Sequence, residues 1–185
     1  PSLSVPLQQA AEAFLALPEQ EAEDRVRCRH DLPLLKALLS APRFASLPLT
    51  FYQDCLDPER EMQFSALTVL LDTGEALLVF RGTDNTLVGW KEDFNLSFLE
   101  VVPAQSAALN YTARLAAARP GPLLLAGHSK GGNLAVFSAS LSPPELRDRI
   151  GAVYSYDSPG FTQRVLSATG YQELLPRIRS YVPQS

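Results

Sequence analysis

Pro122-Leu123-Leu124-Leu125-Ala126-Gly127-His128-Ser129-Lys130-Gly131-Gly132 runs from four apolar residues after a proline straight into a serine flanked by glycines. A short, wholly apolar run of this kind fills the middle of a sheet covered on both faces. The segment from Gly132 to Leu141 then reads as a helix, so the serine sits on a strand-to-helix turn, the context that the Gly-x-Ser-x-Gly pattern requires. A serine on such a turn has a strained backbone that holds its hydroxyl out, and a Cβ on either flanking residue would strike the neighbouring strand or helix. Chance yields the five-residue pattern only about 0.05 times in a chain of this composition, before the strand and helix are demanded.

Working outward, 66–71 and 76–80 are apolar runs joined by Asp72-Thr73-Gly74-Glu75, which predicts a hairpin. A helix is expected from Ala104 to Ala118, a strand from Ile150 to Tyr156, a helix from Phe161 to Leu175 broken near Gly170, and a last strand from Arg177 to Val182. Upstream, Leu7 to Leu17 predicts a helix closed by Pro18. Glu19 to Arg29 reads as a solvated connection, and Asp31 can cap a further helix to Leu39. Strand and helix alternate after the hairpin, so the fold class is α/β. The expectation is an α/β-hydrolase fold with a mostly parallel central sheet, helices on both faces and an N-terminal antiparallel hairpin. One domain spans 1–185, with 1–30 as a peripheral helical segment.

Ser129 is the candidate nucleophile. The helix that follows it points unpaired N–H groups at the turn, so the main-chain N–H of Lys130 can stabilise a developing oxyanion. A glycine-rich turn can also cradle phosphate, but that loop wants a different glycine spacing and a terminal Lys-Ser/Thr pair. His128 adjoins the nucleophile in a tight turn, cannot bring its ring to the Ser129 hydroxyl, and is expected to pack behind the turn. His30, the other histidine, precedes a peripheral helix and reads as a surface or capping residue.

The net charge of −4 and the lack of any long Lys/Arg run argue against a nucleic-acid partner. The apolar runs fall far short of the roughly 20 residues that span a bilayer. No secretory signal is visible, which gives a cytoplasmic expectation. Cys28 and Cys55 lack metal-site spacing; two free thiols or a disulfide both fit.

Phe80-Arg81-Gly82-Thr83-Asp84, Trp90-Lys91-Glu92-Asp93-Phe94-Asn95 and Gly127-His128-Ser129-Lys130-Gly131-Gly132-Asn133 together resemble the DUF2974 family of uncharacterised bacterial α/β-hydrolases, related to class 3 lipases. Gln63-Phe64-Ser65-Ala66-Leu67, Val102-Pro103-Ala104-Gln105 and Asp157-Ser158-Pro159-Gly160-Phe161 extend the likeness over roughly 35–185. The resemblance implies that Thr83 helps form the oxyanion hole. It also implies that Trp90 and Asp93 begin a lid and brace the oxyanion loop, although Trp90 fits a core position equally well. Residues Asn95 to Pro103 could then cover the pocket. Asp84 and Asp93 are expected to make structural hydrogen bonds.

A serine hydrolase also needs a base and an acid that orients it. In hydrolases of this type the chain order is Ser, acid, His, yet no histidine follows His128. The expectation is that a base lies beyond Ser185; the acid either lies there too or is Asp157, the best acid within the chain, with a structural role in the turn before Pro159 as its alternative. The leading function is a serine hydrolase of lipase/esterase type that cleaves a carboxylic ester through an acyl-enzyme on Ser129. It requires no cofactor or metal and acts on a small ester or lipid-like substrate. The alternative is a catalytically inactive hydrolase-like binding module; a third possibility is a catalytic fragment completed by another subunit or a cleaved tail.

Overall fold

A computed structural model describes residues 4–26 and 29–184. In chain order the elements are β1 (Val5–Pro6), α1 (Leu7–Leu15), α2 (Glu19–Arg25), α3 (Asp31–Ser40), α4 (Pro42–Ala45), β2 (Pro48–Asp57), β3 (Met62–Leu70), β4 (Ala76–Phe80), α5 (Leu87–Asn95) and α6 (Pro103–Ala118). They continue with β5 (Leu123–His128), α7 (Lys130–Leu141), α8 (Pro144–Arg147), β6 (Ile150–Tyr156), α9 (Gln163–Leu166), α10 (Thr169–Leu174), a short 3₁₀ turn and β7 (Ile178–Tyr181).

The seven strands lie side by side in chain order. β1 to β4 are antiparallel neighbours, whereas β4 to β7 run parallel. The expected hairpin is β3–β4; β1 and β2 precede it and pair antiparallel as well, so the sheet is mixed, with its parallel part running from β4 to β7. The strand β2 escapes a reading by alternation because its register slips between Thr50 and Gln53, where Phe51 has φ 55°. Residues 19–25, expected as a solvated connection, form α2 instead, with Arg25 paired to Glu21 one turn away. Residues 161–175 divide into two short helices rather than one broken helix.

Each crossover in the parallel half steps one strand in the same direction. Crossovers of one hand that never reverse direction fall on one face of a sheet. Accordingly α6, α7 and α10 share the core with Phe64, Leu78, Phe80, Leu123, Leu125 and Val153. The expectation of helices on both faces holds only at one end: Ala10 of α1 borders a cavity of about 480 Å³ with Leu49 and Leu67. Elsewhere on that face Leu77, Val79, Leu124, Ala126 and Tyr154 are half-buried and Tyr156 and Tyr181 are exposed, their rings stacked 5.0 Å apart.

The core is built around Tyr111 of α6, whose ring meets Phe51, Phe64 and Phe80 edge-on. Its hydroxyl is satisfied by Thr68 at 2.8 Å, and burial pushes its pKa up to about 12. The helix α7 is buried along nearly its whole length between the sheet, α6 and α10. It reaches the sheet so closely that a Cβ on Gly127 would collide with the backbone of Gly131, and one on Gly131 with the Phe80 carbonyl. Gly131→Ala is therefore expected to cost about 3 kcal/mol or more, read as a lowered urea midpoint at unchanged slope.

Candidate active site

The turn after β5 has the geometry its sequence predicts. Ser129 adopts φ 55° and ψ −129°, a conformation that non-glycine residues rarely hold, immediately before the first residue of α7. Its N–H donates to the Tyr156 carbonyl at 2.8 Å, which ties the turn to the end of β6. In front of it lies a cavity of about 510 Å³ bordered by Asp93, Leu96, Ser97, Ser129, Pro159, Gly160, Phe161 and Thr162. The N–H of Lys130, at the first position of α7, belongs to the helix's unpaired first turn.

Thr83 lies on the loop after β4, and this loop touches the serine turn: a Cβ on Gly82 would sit 3.5 Å from Cβ of Ser129 and 2.7 Å from the His128 carbonyl oxygen. Thr83 itself is buried, and its Oγ1 is enclosed without a hydrogen-bond partner. Asp84 makes the structural bonds expected of it: Oδ1 accepts from Thr86 N–H at 2.9 Å and from the Thr86 hydroxyl at 2.5 Å, and the Trp90 Nε1–H donates to the Asp84 carbonyl at 3.2 Å. Trp90 is thus a brace for this loop and not a core residue, being 65% exposed. Asp93 lines the cavity.

Of the remaining residues, His128 departs from its expectation and His30 meets its own. His128 is exposed at the end of β5 and does not pack behind the turn, because strand alternation turns it to the open face of the sheet. His30 is a surface residue whose Nε2 accepts from Arg29 Nε–H at 3.2 Å. Asp157, the candidate acid, has φ 48° and an exposed side chain beyond β6, with its N–H donating to the Tyr181 carbonyl; it is not among the residues bordering the Ser129 cavity. Cys28 lies outside the described residues, and Cys55 is a half-buried free thiol.

Beneath the site is a feature the sequence reading missed. The Lys130 side chain is wholly buried, and its Nζ donates to the Gln63 carbonyl, to Gln63 Oε1 and to Glu92 Oε2, each at 2.8 Å. Glu92, equally buried on α5, also accepts from Gln63 N–H at 2.9 Å and from Ala104 N–H at 2.8 Å. Burial lowers the Lys130 pKa from its ordinary value, and Glu92 opposes that shift. A second relay runs alongside: Gln105 Nε2 donates to Asn133 Oδ1 at 2.8 Å, and Asn133 Nδ2 donates to the Gly160 carbonyl at 2.9 Å. Together these bonds fasten α5, α6, β3 and the 159–162 wall to the first turns of α7. A lysine at the start of a buried helix signals that a counter-ion exists, but not which acid supplies it.

The Mbeg1-like family profile matches residues 38–185, most of the chain and almost the span of the motif resemblance. The chain belongs to the Mbeg1-like family. The resemblance to the lipase-like DUF2974 group thus holds at family level. Among solved structures, the Mbeg1-like chain is similar to a fungal lipase in complex with an inhibitor, described as a model for interfacial activation in lipases. That likeness has 15% identity, covers 96% of this chain and 68% of that one, and reaches a TM-score of 0.45, too distant to transfer residue roles. No curated protein matches the Mbeg1-like chain. Among the described residues no helix is long and apolar enough to cross a membrane.

Removing one member of a buried ion pair strands the other. Lys130→Met and Glu92→Leu are each expected to cost about 3–5 kcal/mol. The double variant removes the stranded charge but leaves the Gln63 and Ala104 N–H groups without their acceptor, so it should be less destabilised than the sum of the two single variants yet still below wild type, a pattern that chemical denaturation of the three proteins will read directly.

Proposed function

We propose that this chain is a serine hydrolase of lipase/esterase type that cleaves a carboxylic ester through an acyl-enzyme on Ser129. The observation that carries the reading is the pairing of a backbone-strained serine, open to a cavity, with the enclosed and unpartnered hydroxyl of Thr83 on the loop against it. In this reading Ser129 Oγ attacks the ester carbonyl carbon and gives its proton to a base. The carbonyl oxygen becomes an oxyanion held by Lys130 N–H and by Thr83. Collapse of the intermediate breaks the C–O bond, the leaving alcohol takes the proton, and water then releases the acid from Ser129 by the same steps.

The residues bordering the cavity include one carboxylate, Asp93, and no imidazole. This reading takes as its base a histidine that does not border the cavity here, with Asp157, at the same carboxyl edge of the sheet, as the acid proposed to orient it. A lipid-like substrate is supported by α5, whose Leu87, Trp90, Phe94 and the following Phe98 recur at helical spacing and are all exposed, on the helix that sends Asp93 to the cavity. An inactive binding module is the second reading, favoured by the missing imidazole alone.

A fluorophosphonate probe separates the two when applied to the longest available gene product. Covalent labelling that disappears in Ser129→Ala supports the hydrolase; a folded protein that never labels favours the binding module. Under the hydrolase reading, Thr83→Val should slow labelling by about 100-fold. The 185-residue chain by itself should label poorly, because an unactivated serine is a weak nucleophile.

A further inference from the structure

We infer that Gln63 is a positioning residue whose side-chain oxygen bridges the two halves of the oxyanion hole. The inference rests on the hydrolase reading, in which Lys130 and Thr83 supply the donors. Gln63 Oε1 accepts from Lys130 Nζ at 2.8 Å and from the Asp84 N–H at 3.3 Å. Lys130 directly follows the nucleophile, and Asp84 directly follows Thr83. One atom thus joins the two segments that carry the donors.

The sheet's own backbone bonds at that level hold each loop to a different strand, β3 or β6, and not to one shared atom. The register between β4 and β5 ends at Phe80 opposite Gly127, so 81–84 and 128–130 leave the ladder as two separate loops. Arg81 N–H donates to the Ser65 carbonyl of β3 at 2.9 Å and Ser129 N–H to the Tyr156 carbonyl of β6 at 2.8 Å, so each loop has its own anchor, while Gly82 brings the two into contact. The Gln63 bridge supplies directional bonds to both loops from β3, a strand in the rigid interior of the sheet.

The other end of the same carboxamide supports this assignment. Gln63 Nε2 is buried and has no partner, which carries a desolvation cost of about 1–3 kcal/mol. A residue serving only to fill space would avoid that cost, since an apolar side chain of equal length needs no acceptor. What Gln63 contributes in exchange is the doubly accepting oxygen. Its main chain holds Glu92 and Lys130 independently, so the side chain can be changed without removing those bonds.

Gln63→Met removes the bridging oxygen at nearly constant volume, and Gln63→Glu retains an accepting oxygen. Fluorophosphonate labelling of Ser129 is resolved into a probe-binding constant and an inactivation rate constant. Gln63→Met should lower the rate constant at least about tenfold and leave binding within about twofold, while Gln63→Glu should restore the rate to within about threefold. Hydrogen exchange of amides 81–86 reads the bridge without chemistry, and about tenfold faster exchange is expected in Gln63→Met alone, at wild-type protection elsewhere in the sheet. If Gln63→Met does not fold, Gln63→Asn, which withdraws the oxygen by one methylene, takes its place with the same expectations. A wild-type protein that never labels sinks the hydrolase reading, and exchange then decides the bridge by itself. Wild-type protection of 81–86 in the variant lacking the bridging oxygen overturns the inference, whatever the labelling result.

Discussion

A fully buried ammonium is the constraint around which this molecule is arranged. Burying Lys130 without partners would be prohibitive, so its three N–H donors demand three acceptors, and β3 and α5 supply them. Meeting that demand fixes α5 against the sheet, because Glu92 can serve the ammonium only if α5 lies across the end of β3. Glu92 then spends its second oxygen on the N–H of Ala104, which orients the start of α6. On its outer side α5 is pinned again, by Lys91 and Asn95 to Glu61 of the β2–β3 turn; the Asn95 bond is foremost in holding the Glu61 carboxyl below its ordinary pKa. Residues far apart in the chain thus converge on one charge at the base of the serine turn.

Strain at Ser129 is tolerated for a related reason. A residue at φ 55° relaxes unless its neighbours over-determine it. Here the turn is clamped by the Tyr156 carbonyl on one side, by the buried α7 behind it and by the Gly82 loop in front. The glycines admit the close packing, and the polar network gives that packing a direction.

Much of this was legible in the sequence, and the remainder was hidden for identifiable reasons. The run from Pro122 to Gly132 specified β5, the turn and α7, since a continuous apolar strand, two glycines and a helix leave little choice. The strand Ile150–Tyr156 and the helix ending at Ala118 were equally clear from uninterrupted patterns. The bulge in β2 erased its alternation, and the acidic run 19–25 disguised a helix as solvent-exposed connection. The open sheet face was not legible at all, because it follows from strand order, a property of the whole topology. Thr83 was singled out by resemblance, whereas Glu92 and Gln63 stood inside the quoted motifs without a role, because a partner for a buried charge is chosen by three-dimensional proximity.

The chain's only tryptophan is held by its indole nitrogen to the carbonyl of Asp84, one residue past Thr83, while most of its ring faces water. Indole emission responds to the hydration and polarity around it. The molecule therefore carries an intrinsic fluorophore wired to the loop beside the serine, and a shift in its emission spectrum can register displacement of that loop without any dye.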